Sequence, residues 1–123
     1  MGAVLIVDDE PDVQLVTRVI LEAVGYDVDE AESGERALDV LDGGALPDVV
    51  LLDVRMPGID GWEVLRRVRS APHPLNELPV IIFTADIALA EQAPMVLQER
   101  EWFLGKPFDP EDLISMIEDA VGR

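Results

Sequence analysis

In Ala3-Val4-Leu5-Ile6-Val7-Asp8-Asp9-Glu10-Pro11, five apolar residues end abruptly in three acids. The proline that follows carries a pre-set φ suited to the first turn of a helix. The stretch therefore reads as a strand that hands over to a helix, with carboxylates at the strand's carboxyl end. Four short runs rich in Val, Ile and Leu, of which this is the first, alternate with segments of helical periodicity. That alternation argues for a parallel sheet covered on both faces, an α/β fold.

Working outward, Val13, Val16, Ile20 and Val24 recur at spacings of three and four, which predicts a first helix with these four on its buried stripe and Gly25 at its C-terminal cap. A weak strand is expected around Tyr26 to Ala31, then a short helix with Ala37, Leu38 and Leu41 that Gly43-Gly44 ends. Asp48 to Asp53 reads as a buried strand. It leads into the turn Met56-Pro57-Gly58-Ile59-Asp60-Gly61 and a helix carrying Val64, Leu65 and Val68. Pro72 to Pro79 reads as a loop, and Val80 to Thr84 as another buried strand. A helix-like segment interrupted by Pro94 follows, then a short strand at Trp102 to Leu104 and a last helix from about Pro110. These are five βα units in one domain over residues 1–123, with no internal repeat or linker.

The 123 residues are 49% hydrophobic and 28% charged, a balance suited to a globular domain rather than a disordered tail. The apolar runs are far too short to span a bilayer, and residues 1–7 lack the basic region of a secretory signal, so a cytoplasmic location is expected. Without cysteine there is no disulfide framework, thiolate metal site or cysteine nucleophile. A net charge of −17 would repel a phosphate backbone, which excludes direct nucleic-acid binding. Among nine basic residues Lys106 is the single lysine, which gives its position weight.

In doubly wound sheets, ligands bind beyond the carboxyl ends of the strands. Asp8 and Asp9 stand at the first such end, Asp53 at the third, Thr84 at the fourth, and Lys106 two residues past Leu104. If the first and third strands are neighbours, three carboxylates crowd together and call for a compensating cation; a hard, oxygen-liganded ion such as Mg2+ suits them. Replacing Asp8 or Asp9 with Asn is then expected to weaken Mg2+ binding and to leave the metal-free fold intact or slightly stabler. Asp53, before a Gly-rich turn that lets a substrate approach, is the candidate nucleophile toward phosphorus. Asp8 and Asp9 are better placed as metal ligands, Thr84 can hydrogen-bond a phosphoryl oxygen, and Lys106 can pair with it.

Val4 to Glu10, Leu51-Leu52-Asp53 with Met56 to Gly61, Thr84-Ala85 and Lys106-Pro107-Phe108 together resemble the receiver domains of bacterial two-component response regulators. The resemblance covers essentially the whole chain. It implies a flavodoxin-like five-stranded sheet of order 2-1-3-4-5 with five helices, the order the family's chemotaxis regulators have. It implies Asp53 as phosphoacceptor, Asp8 and Asp9 as the acidic metal pair, and Arg55 as a ligand through its carbonyl. It further implies Thr84 as switch hydroxyl, Lys106 as the phosphate-contacting lysine with a cis bond to Pro107, and Phe103 as switch aromatic. Arg55 and Asp86 occupy positions that in receivers flank the path of water to the phosphoaspartate. Implied partners are a sensor histidine kinase or histidine phosphotransfer protein, and a downstream effector or output domain. The face formed by the fourth helix, fifth strand and fifth helix is the implied output surface, and a second copy in a phosphorylation-dependent dimer is a further implied partner. Such a domain catalyses only its own phosphorylation and dephosphorylation. With no output domain after Arg123, the expectation is a stand-alone regulator or phosphorelay intermediate.

The sequence departs from the family at Glu99 and Arg100, where most receivers carry Gly-Ala, and at Pro94 in the fourth helix. Phe103 alone would also fit a core aromatic; Trp62 and Trp102 read as packing residues and His73 as a loop residue. Three other readings compete. A haloacid-dehalogenase-type phosphatase needs a second Asp where Arg55 stands, and a flavodoxin-like redox protein needs a phosphate loop where Asp8-Asp9-Glu10 would repel phosphate. A degenerate receiver acting only as a binding module would not need the full set of site residues.

Overall fold

A computed structural model describes residues 2–44, 46–85 and 97–122 of the chain. The Val, Ile and Leu runs form β1 (Ala3–Val7), β3 (Val49–Leu52) and β4 (Val80–Thr84), buried on both faces. The more polar β2 (Asp27–Ala31) and β5 (Glu101–Gly105) lie at the edges. All neighbours pair in parallel, in the order β2-β1-β3-β4-β5. This is the flavodoxin-like order expected. Charged side chains along β2 suit an edge that must not recruit another strand.

Four α-helices occur among the described residues: α1 (Pro11–Ala23), α2 (Gly34–Asp42), α3 (Gly61–Ser70) and α4 (Pro110–Val121). The helix expected around Pro94, and Asp86 with it, lie outside the described residues, so α4 is the last of the five helices read from the sequence. The loop at residues 72–79 contains one 3-10 turn, Leu75–Glu77.

Strand alternation divides the core into two layers. Leu5, Val7, Val50, Leu52 and Ile82 pack with Ala37 and Leu41 of α2 and Val64 and Val68 of α3. Val4, Ile6, Leu51, Ile81 and Phe83 pack on the other face with Leu21 of α1 and Leu113 and Ile117 of α4. Trp62 and Trp102 join the first and second layer respectively, as packing residues.

Helix ends follow their local chemistry. Ser33, Asp60 and Asp109 cap α2, α3 and α4 by accepting N–H groups of the first turn. At the end of α1, Gly25 takes φ +98°, its N–H reaches Glu22 O, and Tyr26 N–H reaches Leu21 O. That is a complete Schellman closure.

The buried stripe expected on α1 is corrected. Gln14, Thr17 and Leu21 are buried, whereas Val16 is 54% exposed and Val24 36%, and Val13 and Ile20 lie half-buried at the margin. Apolar residues cover two faces of α1, so periodicity alone could not choose between them. Polar contacts chose: the Gln14 amide bonds inward to backbone carbonyls, turning Leu15, Val16 and Val19 to solvent.

Candidate functional site

Beyond the last paired residues of β1 and β3, Val7 and Leu52, the chain places Asp8 and Asp53 side by side. Asp53 N–H donates to Val7 O at 2.9 Å and Asp8 N–H to Ala31 O at 3.1 Å, so each residue is anchored by one more bond past the ladder. Both carboxylates are buried, while Asp9 and Glu10 are exposed. Carboxylate oxygens of Asp8, Asp9, Glu10 and Asp53 lie within 4.8 Å of one another.

The cis bond expected between Lys106 and Pro107 is present, and Lys106 N–H donates to Thr84 O at 2.8 Å just past β5. The Lys106 ammonium sits 2.6 Å from Asp8 Oδ2, 3.3 Å from Asp53 Oδ2 and 3.7 Å from Glu10 Oε1. Its Nζ lies 4.6 Å from the centre of the Phe83 ring, which packs in turn against Phe108 with centroids 5.3 Å apart and the ring planes tilted by 53°. An aromatic face attracts a cation at this range. Burial opposes the charged lysine, but its hydrogen bond to Asp8 and the charges of Asp8 and Asp53 outweigh it and raise its pKa.

Asp53 shows the opposite balance. Burial raises its pKa above the ordinary carboxylate value, and the Arg55 backbone N–H at 3.0 Å and Lys106 only partly offset it. A cluster of four carboxylates, two of them out of water, thus has one ammonium, which contacts Asp8, Asp53 and Glu10. Such a set fits a hard divalent cation, whose charge would offset most of the surplus and whose preferred donors are carboxylate oxygens. Asp8, Asp9 and Asp53 are the acids the sequence assigns to it.

Thr84 is buried at the end of β4 and pairs in register with Gly105. Phe103 pairs with Ile82, two positions earlier, and packs half-buried in the layer under α2 and α3. By strand alternation Thr84 shares that face of the sheet, which makes the two switch candidates near neighbours on adjacent strands. Arg55 is exposed. Asp86, expected opposite it, lies outside the described residues. His73 is an exposed loop residue, 3.6 Å from Glu77.

Three residues at the site escaped the sequence reading. Glu10 had a signal, being contiguous with Asp8-Asp9. Phe83 was visible only as a strand residue, and nothing in the sequence distinguished Gln14 from a surface residue of α1.

The chain is similar in sequence and fold to known proteins. The family model described as "Response regulator receiver domain" matches residues 4–118. Response regulator MprA of Mycolicibacterium vanbaalenii is 35% identical over 98% of this chain, and the DNA-binding transcriptional regulator NtrC of Escherichia coli is 35% identical over 99%. The chain spans 50% of the length of MprA and 25% of that of NtrC. Response regulator protein TrrA of Thermotoga maritima, solved in complex with Mg2+ and BeF, is 31% identical with a TM-score of 0.83, covering 98% of this chain and 99% of TrrA. Chemotaxis protein CheY4 of Vibrio cholerae is 28% identical with a TM-score of 0.82, covering 98% of each chain. A match over nearly the full length, on a sheet of the same order with strand-end acids and a lysine gathered at one edge, decides the question of kinship: this chain belongs to the response regulator receiver domain family.

Proposed function

We propose that Asp53 accepts a phosphoryl group and that the resulting phosphoaspartate is the signalling state of this domain. The observation that carries the reading is the gathering of Asp8, Asp9 and Asp53 at one edge of the sheet, with the Lys106 ammonium on Asp8 and Asp53. An Asp53 carboxylate oxygen attacks the phosphorus of a phosphohistidine, the P–N bond breaks, and the imidazole leaves with its electron pair and takes up a proton. Lys106 neutralises charge on the equatorial phosphoryl oxygens and Thr84 donates a hydrogen bond to one of them. Asp8, Asp9, Asp53 and the Arg55 carbonyl would hold Mg2+, which when bound supplies further neutralisation of the transferring group. The Mg2+ in the TrrA complex supports this choice of ion. Hydrolysis reverses the state: water attacks phosphorus, the acyl P–O bond breaks, and Asp53 is regenerated as inorganic phosphate leaves.

The donor we infer is a histidine kinase or histidine phosphotransfer protein. Leu15, Val16 and Val19 of α1 form an exposed apolar strip. Beside it, Val13, Ile20, Pro107 and Phe108 line a groove that reaches Lys106. This surface suits a helical partner presenting its histidine to Asp53. On the output side, Thr84 drawn toward the phosphoryl group would let Phe103 rotate behind it and reshape the surface around β5 and α4. A downstream effector, an output domain or a second phosphorylated copy would read that surface. Arg55 and Asp86 would modulate the access of water to the phosphoaspartate.

Mass spectrometry after incubation with acetyl phosphate or phosphoramidate and Mg2+ tests the reading. The expected result is one added phosphoryl group on the wild-type chain, on Asp53, and none on Asp53→Asn. Normal uptake by Asp53→Asn would sink it.

A further inference from the structure

Gln14 is a polar residue on the buried face of α1, on the same side as Thr17 and Leu21, while Leu15, Val16 and Val19 of the same helix are exposed. It is 8% exposed, against 60% for Leu15 and 58% for Val19. Burying an amide is unfavourable unless its hydrogens find acceptors. Both do: Nε2 donates to Asp8 O at 2.6 Å and to Ala31 O at 2.9 Å. These carbonyls stand at the carboxyl ends of the adjacent strands β1 and β2, one residue past and at the last pair of their ladder, Val7 with Ala31.

The same two bonds close a frame around Asp8. Its N–H donates to Ala31 O at 3.1 Å, and its Oδ1 accepts the Glu10 N–H at 2.9 Å. With the Gln14 bond to its carbonyl, both backbone polar atoms of Asp8 and one carboxylate oxygen are committed, and Oδ2 is left to face Lys106. The Asp8 carbonyl belongs to the peptide that joins Asp8 to Asp9. Fixing that peptide fixes the direction in which both acidic side chains leave the strand.

We propose that Gln14 is the positioning residue of the acidic pair: its amide holds the Asp8–Asp9 peptide so that both carboxylates converge on Asp53, and it thereby sets the affinity of the site for divalent cations. The proposal rests on the reading of this site as a Mg2+ site. Partners that orient metal ligands from behind typically change metal affinity about 10-fold to 100-fold when removed.

The test is isothermal titration of the full chain with Mg2+, run on wild type, Gln14→Met and Gln14→Asn, with chemical unfolding of each protein alongside. Methionine keeps the volume without donors, and asparagine keeps the amide but falls short of the two carbonyls. Both variants are expected to bind Mg2+ about 10-fold more weakly than wild type. Phosphorylation by acetyl phosphate should slow at limiting Mg2+ and return to the wild-type rate at saturating Mg2+. A variant with a lowered unfolding midpoint but wild-type Mg2+ affinity would make Gln14 a brace of the fold only and overturn the proposal. Should Gln14→Met not fold, Gln14→Asn decides by the same comparison. Wild type that binds no Mg2+ overturns the metal reading itself, whereas wild-type binding with unchanged variants overturns only the role of Gln14.

Discussion

Asp8 and Asp53 are both buried carboxylates beside one ammonium, yet their substitution should have opposite effects on the metal-free fold. Like-charge repulsion, read from sequence alone, makes removal of the Asp8 or the Asp9 charge neutral or stabilising. The structure alters that for Asp8, because Lys106 lies 2.6 Å away and its side chain is largely out of water. Asp8→Asn takes from a buried lysine its nearest partner, and should destabilise the apo chain by about 3 kcal/mol. Asp53 is held above its ordinary pKa by burial despite Lys106 and the Arg55 N–H. A carboxyl with a raised folded-state pKa contributes stability below its unfolded pKa of about 4, and that contribution is lost as pH rises through the folded value. Asp53→Asn should therefore match wild type near about pH 3 and exceed it by about 1 kcal/mol at neutral pH. Urea unfolding of both variants without metal, across this pH range, checks the two signs. Stabilisation by Asp8→Asn would mean that Lys106 does not depend on it.

At the scale of elements, the seating of α3 on β3 controls where Asp53 points. Gly61 is the first residue of α3, and a Cβ built there would lie 2.4 Å from Asp53 O and 2.6 Å from Val54 Cα. These neighbours are backbone and cannot swing aside. Gly61→Ala must push α3 off the strand end that carries Asp53, so a loss of about 1–3 kcal/mol is expected, together with slower phosphorylation. A wild-type urea midpoint in Gly61→Ala would show that α3 can shift without consequence. Arg69 performs a related task at the opposite end of the sheet. Its guanidinium reaches Glu101 at 2.9 Å and the carbonyls of Leu78 and Arg100 at 2.7 and 3.2 Å, tying α3 to the entry of β5. Arg100 adopts φ +69°, a conformation that favours glycine. Arg100 stands where most receivers carry the Ala of Gly-Ala, and its carbonyl also accepts the Val80 N–H at 3.0 Å.

For the whole molecule, the surplus of acid governs how it responds to ions. A net charge of −17 repels itself, and any salt relieves part of that repulsion by screening. A specific cation does more, because binding to the native state alone stabilises it by RT ln(1 + [L]/Kd), or about 2.7 kcal/mol at 100 times Kd. Thermal unfolding in MgCl2 should therefore rise by several degrees beyond the rise in NaCl of equal ionic strength. Equal rises in the two salts would reduce the effect to screening.

The order of apolar runs, the acids closing β1 and β3, and the position of the single lysine made the parallel sheet and the candidate site legible without coordinates. Each is a local pattern: strands buried on both faces need continuous apolar runs, and parallel strands bring their carboxyl ends to one edge. The orientation of α1 was not legible, since Val13, Val16, Ile20 and Val24 satisfy helical periodicity as well as the face that is buried. Which face turns inward depends on acceptors supplied by other elements, the Asp8 and Ala31 carbonyls that receive the Gln14 amide. The sign of the charge balance at Asp8 was hidden for the same reason. Lys106 is 98 residues away along the chain, and only the pairing of β4 with β5 brings its ammonium between the two buried carboxylates.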